Sequence, residues 1–246
     1  MNPTIEITGL HKSFESTPGF VLEDLTMSVS QGEFVSIVGA SGCGKSTLLN
    51  LIANLDKPTS GEIKTASRPT LMFQESALLP WLSAIANVEL PMRLNGIGKE
   101  ERKARAAELL ELVNLSSSAE KMPHELSGGM RQRVAIARAL AQDSKILLMD
   151  EPFAALDAIT RDLLHDELSR IWRKEKLTIL FVTHNVREAI RLGQRVLMMS
   201  SRPGKFIEEW RVDIPEPRRM DSPDIAKLAS QVTDQLRREI KRHAYV

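Results

Sequence analysis

A glycine-rich run, Gly39, Ala40, Ser41, Gly42, Cys43, Gly44, Lys45 and Ser46, follows the apolar stretch Phe34 to Val38 and precedes the helical pattern Thr47 to Ala53. Strand, glycine loop and helix start in that order are the setting of a P-loop, which cradles nucleotide phosphates. A triphosphate needs several donors converging at short range. Glycines let the backbone curl so that N–H groups point inward at the head of a helix whose dipole favours anions. Lys45 would reach the β- and γ-phosphates, and the Ser46 hydroxyl would ligate Mg2+. Cys43, the only cysteine, is read as a small filler. The alternative is a thiol whose pKa is lowered by the helix start and Lys45, so that alkylation would abolish activity and nucleotide would protect.

Two acids, Asp150 and Glu151, close the apolar strand pattern Lys145 to Asp150, where a chance pair would be costly to place. His184 follows directly on a second such run, Leu177 to Thr183. Phosphoryl transfer to water requires charge neutralisation over the γ-phosphate and a group that orients the nucleophile, and these side chains could supply both. Phe14 offers a flat face for a base, although a core phenylalanine would give the same periodicity. Glu125 to Arg133 opens a helix with Ser127 as N-cap and Gly128 and Gly129 in its first turn, a second anion-binding helix start.

The elements that must position these groups follow from periodicity. Residues 1 to about 35 read as antiparallel strands beside the P-loop strand. Helical spacing runs from Gly96 to Leu115 and from about Gly129 to Ala141, giving a mostly α middle of the chain. Strand pattern returns at Lys145 to Asp150, Leu177 to Thr183 and Arg195 to Met199, with helical stretches of about 20 residues between the first two and leading to the third. The expected class is α/β, with a mainly parallel sheet covered on both faces. Asp221-Ser-Pro starts a last amphipathic helix carrying Ile225, Leu228, Val232, Leu236 and Ile240.

With 246 residues, 42% hydrophobic and 26% charged, the chain can bury a large core, and a net charge of +1 provides no global field toward nucleic acid or anionic membrane. The late basic cluster of Arg218, Arg219, Arg237, Arg238, Lys241 and Arg242 reads as a solvated helix face. A single cysteine excludes an internal disulfide and fits a reducing compartment. The start lacks a secretory pattern and no apolar run approaches the roughly 18 residues that span a bilayer, so a cytoplasmic location is expected, with any membrane role exercised through a partner.

A P-loop combined with Leu126-Ser-Gly-Gly and with Gln132 and Arg133 resembles the ATPase subunits of ATP-binding cassette (ABC) transporters, from Phe14 to about Phe206. The resemblance implies one ABC ATPase domain over residues 1–246, with a P-loop, RecA-like core, an N-terminal antiparallel β subdomain, an inserted helical subdomain at about 77–141 and a tail at about 207–246. It implies ATP and Mg2+ as cofactors. Lys45, Ser46 and Thr47 match the Walker A end, and Gln74 matches the glutamine that touches Mg2+ and the attacking water. Asp150 matches the acid that holds Mg2+, Glu151 the catalytic carboxylate, Asp157 the D-loop and His184 the switch histidine. Ser127, Gly128 and Gly129 of one subunit would complete the P-loop site of the other in a head-to-tail homodimer with two ATP sandwiched between its halves. Met130, Asn185 and Arg187 depart from common family residues without touching the central chemistry.

The wording Leu78-Leu-Pro-Trp81, with Ser200 to Lys205, is similar to importer ATPases of the nitrate, sulfonate and taurine group. That implies separate transmembrane permease subunits docking near Glu75 to Pro91, an indirect link to a solute-binding protein, no nucleic-acid partner and a peripheral place on the cytoplasmic face of the inner membrane. Alternatives are a soluble ABC ATPase acting on nucleic acid or ribosomes, an exporter ATPase, and a P-loop kinase. The last would not need Leu126-Ser-Gly-Gly, and the first usually carries a long coiled-coil insertion or two cassettes.

Overall fold

The computed structural model describes residues 3–15 and 17–244. Four apolar runs form the heart of a six-stranded sheet: β3 (Phe34–Gly39), β6 (Ile146–Asp150), β7 (Thr178–Val182) and β8 (Arg195–Met199). They are near-continuously hydrophobic because helices or a second sheet cover both faces. β5 (Thr70–Met72) and β9 (Phe206–Arg211) complete the order β5-β6-β7-β3-β8-β9. All neighbours are parallel except β9, which runs antiparallel to β8. β9 was not anticipated, and it takes the first part of the expected tail into the main sheet. Its charged Glu208 and Glu209 mask a strand that lies at the sheet edge, with mostly exposed side chains.

Alternation divides the core. Ile146, Leu148, Leu180 and Val182 face one side, together with α1 (Lys45–Ile52). Leu147, Met149, Ile179 and Phe181 face the other, against α4 (Gly128–Leu140) and α5 (Ala158–Glu175). β1 (Ile5–Phe14) and β2 (Thr17–Val29) are antiparallel as expected, yet they do not extend the P-loop strand's sheet. With β4 (Ser60–Thr65) they form a separate sheet of order β2-β1-β4, whose Ile5, Ile7 and Leu10 pack onto the α1 side.

Between β5 and β6, which are paired neighbours, the chain makes a helical excursion of α2 (Ala84–Leu94), α3 (Lys99–Leu112) and α4. α3 is shorter than the expected Gly96 to Leu115 span, and α2 carries Pro91 within it. A proline there removes one helical donor, which hides the helix from a pattern reading. The fully buried Asn87 compensates: its side chain accepts from Leu79 N at 2.8 Å and donates to the carbonyls of Leu79, Leu82 and Ser83 at 3.2, 2.9 and 3.1 Å. The Leu79 to Ser83 turn is thereby fastened to α2.

The helix between β6 and β7 has 18 residues, close to expectation, whereas α6 (Val186–Leu192), between β7 and β8, has only 7. The amphipathic helix is present as α7 (Pro223–Ala244), and its Ile225, Ala229 and Val232 are buried against Val186, Ala189 and Ile190 of α6. Each such side chain contributes about 1.5–3 kcal/mol when fully buried, Ala229 less. Arg218 corrects the solvated-face reading. Its guanidinium donates to the carbonyls of Ile214, Ile190, Gly193 and Val212 at 2.8, 3.1, 2.5 and 3.1 Å. Arg219 does stay exposed, pairing with Asp221 at 3.1 Å. Among the described residues no helix is long and apolar enough to cross a membrane.

Candidate functional site

Because β3, β5, β6 and β7 are parallel, the segments leaving their carboxyl ends share one edge of the sheet. That edge is where open α/β sheets bind ligands. From β3 comes the glycine loop, from β5 Gln74, from β6 Asp150 and Glu151, and from β7 His184. A cavity of about 450 Å3 is lined by Phe14, Ser41, Gly42, Gly44, Lys45, Ser46, Thr47, Gln74, Asp150 and Glu151, joined by Val21 and Arg202.

The loop owes its shape to its glycines. Gly44 caps α1 at φ 103°, and a Cβ there would lie 2.5 Å from Leu22 Cδ2. Gly39, at the end of β3, has Cys43 Sγ at 2.8 Å and Met199 O at 3.0 Å from where a Cβ would sit. Lys45 is 6% exposed, and its Nζ donates to the carbonyls of Gly39 and Ala40, both at 2.9 Å. Cys43 is 1% exposed, and burial pushes its thiol up, outweighing the opposing charge of Lys45. Its Sγ lies 3.8 Å from Lys45 Nζ, and the buried thiol fits the small-filler reading.

Burial also lifts the Asp150 carboxyl above the usual carboxylate range; the Ser46 hydroxyl bonded to it and nearby Lys45 pull the other way, and the Glu151 charge adds to the rise. Glu151 occupies the left-handed region at φ 44°, a strained position for a non-glycine residue. Its N–H is held by the Val182 carbonyl at 2.9 Å, and its Oε2 lies 2.8 Å from His184 Nδ1. Ser46, Asp150 and Gln74 present oxygen donors of the kind that suit Mg2+. Among the described residues no group of three or more His, Cys, Asp or Glu could hold a metal by itself.

Behind His184 lies a buried network that sequence reasoning missed. The Thr183 hydroxyl donates to Glu188 Oε2, and His165 Nε2 lies 2.7 Å from Glu188 Oε1. Thr183 Oγ1 also accepts from Asn185 N at 3.0 Å, and Asn185 caps α6. The backbone on both sides of His184 is thus tied to α5. Arg138 of α4 was missed as well: its guanidinium donates to the Ser76 and Ala77 carbonyls, both at 2.7 Å, just beyond Gln74. Only the burial of these polar groups marks them, and burial is invisible in the bare sequence.

Ser127, Gly128, Gly129 and Asp157 do not line the cavity. Ser127 caps α4, accepting from Met130 N at 3.3 Å, and Asp157 caps α5, accepting from Thr160 N at 3.0 Å. Those bonds hold the Asp157 carboxyl below the usual range. The two helix starts pack together: a Cβ on Gly129 would lie 2.4 Å from Thr160 Cγ2.

The ABC transporter family model matches residues 22–154, which span the glycine loop, Leu126-Ser-Gly-Gly and the Asp150-Glu151 pair. The chain belongs to the ABC transporter family. The nitrate import ATP-binding protein NrtD of Synechocystis is 47% identical over 86% of this chain and 83% of its own length. The aliphatic sulfonates import ATP-binding protein SsuB of Rhodopseudomonas palustris is 43% identical over 94% and 83%. A dimeric post-hydrolysis ATP-binding cassette, solved with ADP and Pi bound, superposes with a TM-score of 0.75 at 34% identity, covering 86% of this chain and all of that one. This ABC cassette is accordingly an ATP-binding ATPase with the α/β core and antiparallel β sheet expected of it.

Proposed function

We propose that the cassette is the energy-supplying subunit of an importer, coupling ATP binding and hydrolysis to uptake of a small solute of the nitrate, sulfonate and taurine type through separate membrane subunits. The observation that carries the site assignment is the convergence of Lys45, Ser46, Gln74, Asp150 and Glu151 on one cavity, with His184 bonded to Glu151. Lys45, already stripped of water and aimed at the loop, transfers its bonds from the Gly39 and Ala40 carbonyls to phosphate oxygens. Phe14 offers its ring at the same cavity for the base, with Lys12 Nζ 4.6 Å from the ring centroid. Ser46, Gln74 and Asp150 would hold Mg2+, which when bound neutralises charge building on the phosphates. Glu151, fixed by strain and by His184, orients the attacking water and accepts its proton.

Ser127, Gly128 and Gly129 stand away from this cavity, and the relative solved with ADP and Pi is dimeric. Both facts support a head-to-tail homodimer in which each copy's α4 start covers the other's nucleotide, with Asp157 beside it. ATP then favours closure by contacting both halves, and loss of the γ-phosphate contacts releases them. Trp81 and Leu94, 69% and 75% exposed on the helical excursion, suit docking to a permease, which supports a peripheral place on the cytoplasmic face of the membrane. A solute-binding protein would act only through that permease.

Glu151→Gln is the test. The variant should bind ATP as tightly as the native chain, hydrolyse it at least about 100-fold more slowly and accumulate as an ATP-bound dimer. Near-native hydrolysis would remove Glu151 from the chemistry. Co-purification from native membranes, followed by ATPase assay with candidate solutes, tests the importer reading.

A further inference from the structure

Arg202 lines the nucleotide cavity, although it lies far along the chain from the glycine loop and from the other residues that line it. The loop that carries it is fixed at several points. Ser200 N donates to the Lys205 carbonyl at 2.8 Å, and Ser200 Oγ bridges the Pro203 carbonyl at 2.7 Å and Lys205 N at 2.8 Å. Gly204 N donates to the Val21 carbonyl at 2.9 Å, and the Gly204 carbonyl accepts from Glu23 N at 3.1 Å. Gly204 sits so tightly on the P-loop that a Cβ would lie 2.3 Å from the Cys43 carbonyl oxygen. From the other side α7 reaches in, and Glu239 Oε1 accepts from Ser201 N at 3.3 Å.

Arg202 Nε donates to the Gly42 carbonyl at 3.2 Å. That bond holds the guanidinium over the glycine loop. The two terminal nitrogens have no protein partner among the described residues. A planar fork of donors, pinned at one nitrogen and open at two, is suited to phosphate oxygens more than to a base. We infer that Arg202 is a second phosphate-binding cation beside Lys45, reading the diphosphate part of ATP or ADP, and that α7 positions it through Glu239 and Ser201.

The inference rests on the nucleotide site proposed above, and the two fail differently. Affinities for ATP, ADP and AMP would be measured by calorimetry on the full chain and on Arg202→Gln, Arg202→Ala and Arg202→Lys. The glutamine retains a donor for Gly42 while losing the charge. A charge-assisted pair corresponds to about a tenfold or larger loss. Arg202→Gln and Arg202→Ala should weaken ATP and ADP by that factor and AMP by less than about threefold, and Arg202→Lys should recover part of the loss. Glu239→Leu, which removes the acceptor for Ser201 N, should weaken ADP in the native background and not on top of Arg202→Ala. Unchanged ADP affinity in Arg202→Gln, or equal losses for all three nucleotides as in a general disturbance of the site, would overturn the role of Arg202. Equal effects of Glu239→Leu in both backgrounds would overturn the role of α7. A native chain that binds neither ATP nor ADP would instead overturn the nucleotide site itself.

Discussion

Gly129 lies in the helix start proposed to cover the other copy's nucleotide, but its neighbour within the same chain sets a separate demand. An alanine Cβ at this position would meet Thr160 Cγ2 at 2.4 Å, well inside contact distance. Thr160 is β-branched and has few rotamers to escape into, and its N–H is the one capped by Asp157. Retreat of Thr160 would loosen a cap worth about 1 kcal/mol, and overpacking generally costs about 1–3 kcal/mol. Against this, Gly to Ala within a helix gains about 0.5–1 kcal/mol. Gly129→Ala should therefore destabilise the nucleotide-free chain by about 1–2 kcal/mol. Thr160→Ser deletes the clashing methyl and keeps the hydroxyl. Combined with Gly129→Ala it should restore native stability or exceed it by a few tenths of a kcal/mol. Urea unfolding followed through buried Trp172 supplies the four free energies of the cycle, with an expected coupling near 1–2 kcal/mol. A single variant as stable as the native chain, or a double variant no better than the single, would refute the packing argument. In the proposed head-to-tail dimer the added methyl would still crowd the phosphate that α4 covers in the other copy, so ATPase activity should stay low in the restored double variant.

The Asp150 carboxyl is raised in the fold, so the folded chain keeps its proton to higher pH than the unfolded chain does. Stability of the nucleotide-free protein therefore declines as pH rises from the ordinary carboxylate range through that raised value, and Asp150→Asn should give a higher unfolding midpoint at neutral pH with no ATPase activity. A lower midpoint in thermal scans would contradict this. Cys43 should react with an aromatic disulfide reagent at least about 100-fold more slowly in the native state than in urea, since its thiol must first be exposed. Labelling at the free-thiol rate would show the loop open. Arg218→Ala should cost about 2–4 kcal/mol in urea unfolding, because four carbonyls lose one shared donor, and Arg218→Lys should recover little of it.

Motifs that are contiguous in the chain could be read directly. The glycine loop, the apolar strands at Ile146 and Thr178 and the Ser127 cap each carry their signal within a few residues, and local rules decide their conformation. α2 escaped because Pro91 contradicts its local pattern and the compensating bonds come from Asn87, whose partners reveal themselves only when the turn has closed. α6 was overestimated because seven residues suffice once α7 covers them. Arg218 was misjudged because its hydrogen bonds come from chain segments that fold against it from a distance. Arg202 stood in a run noticed for its wording, but only the packing of Gly204 on Cys43 brings that run to the nucleotide cavity.

The bonds from Arg138 to Ser76 and Ala77 determine how force can pass through the molecule. They join the chain beyond Gln74 to α4, while Asn87 joins the next turn to α2, so residues 76–140 make one stiff arm. The arm leaves the sheet from β5, a strand of three residues paired with β6, returns into β6 itself, and rests through α4 on Leu147, Met149 and Phe181. A push on the far end of such an arm therefore reaches the sheet beneath α4 and the segment Phe73 to Glu75, which carries Gln74 into the nucleotide cavity beside Asp150 and Glu151.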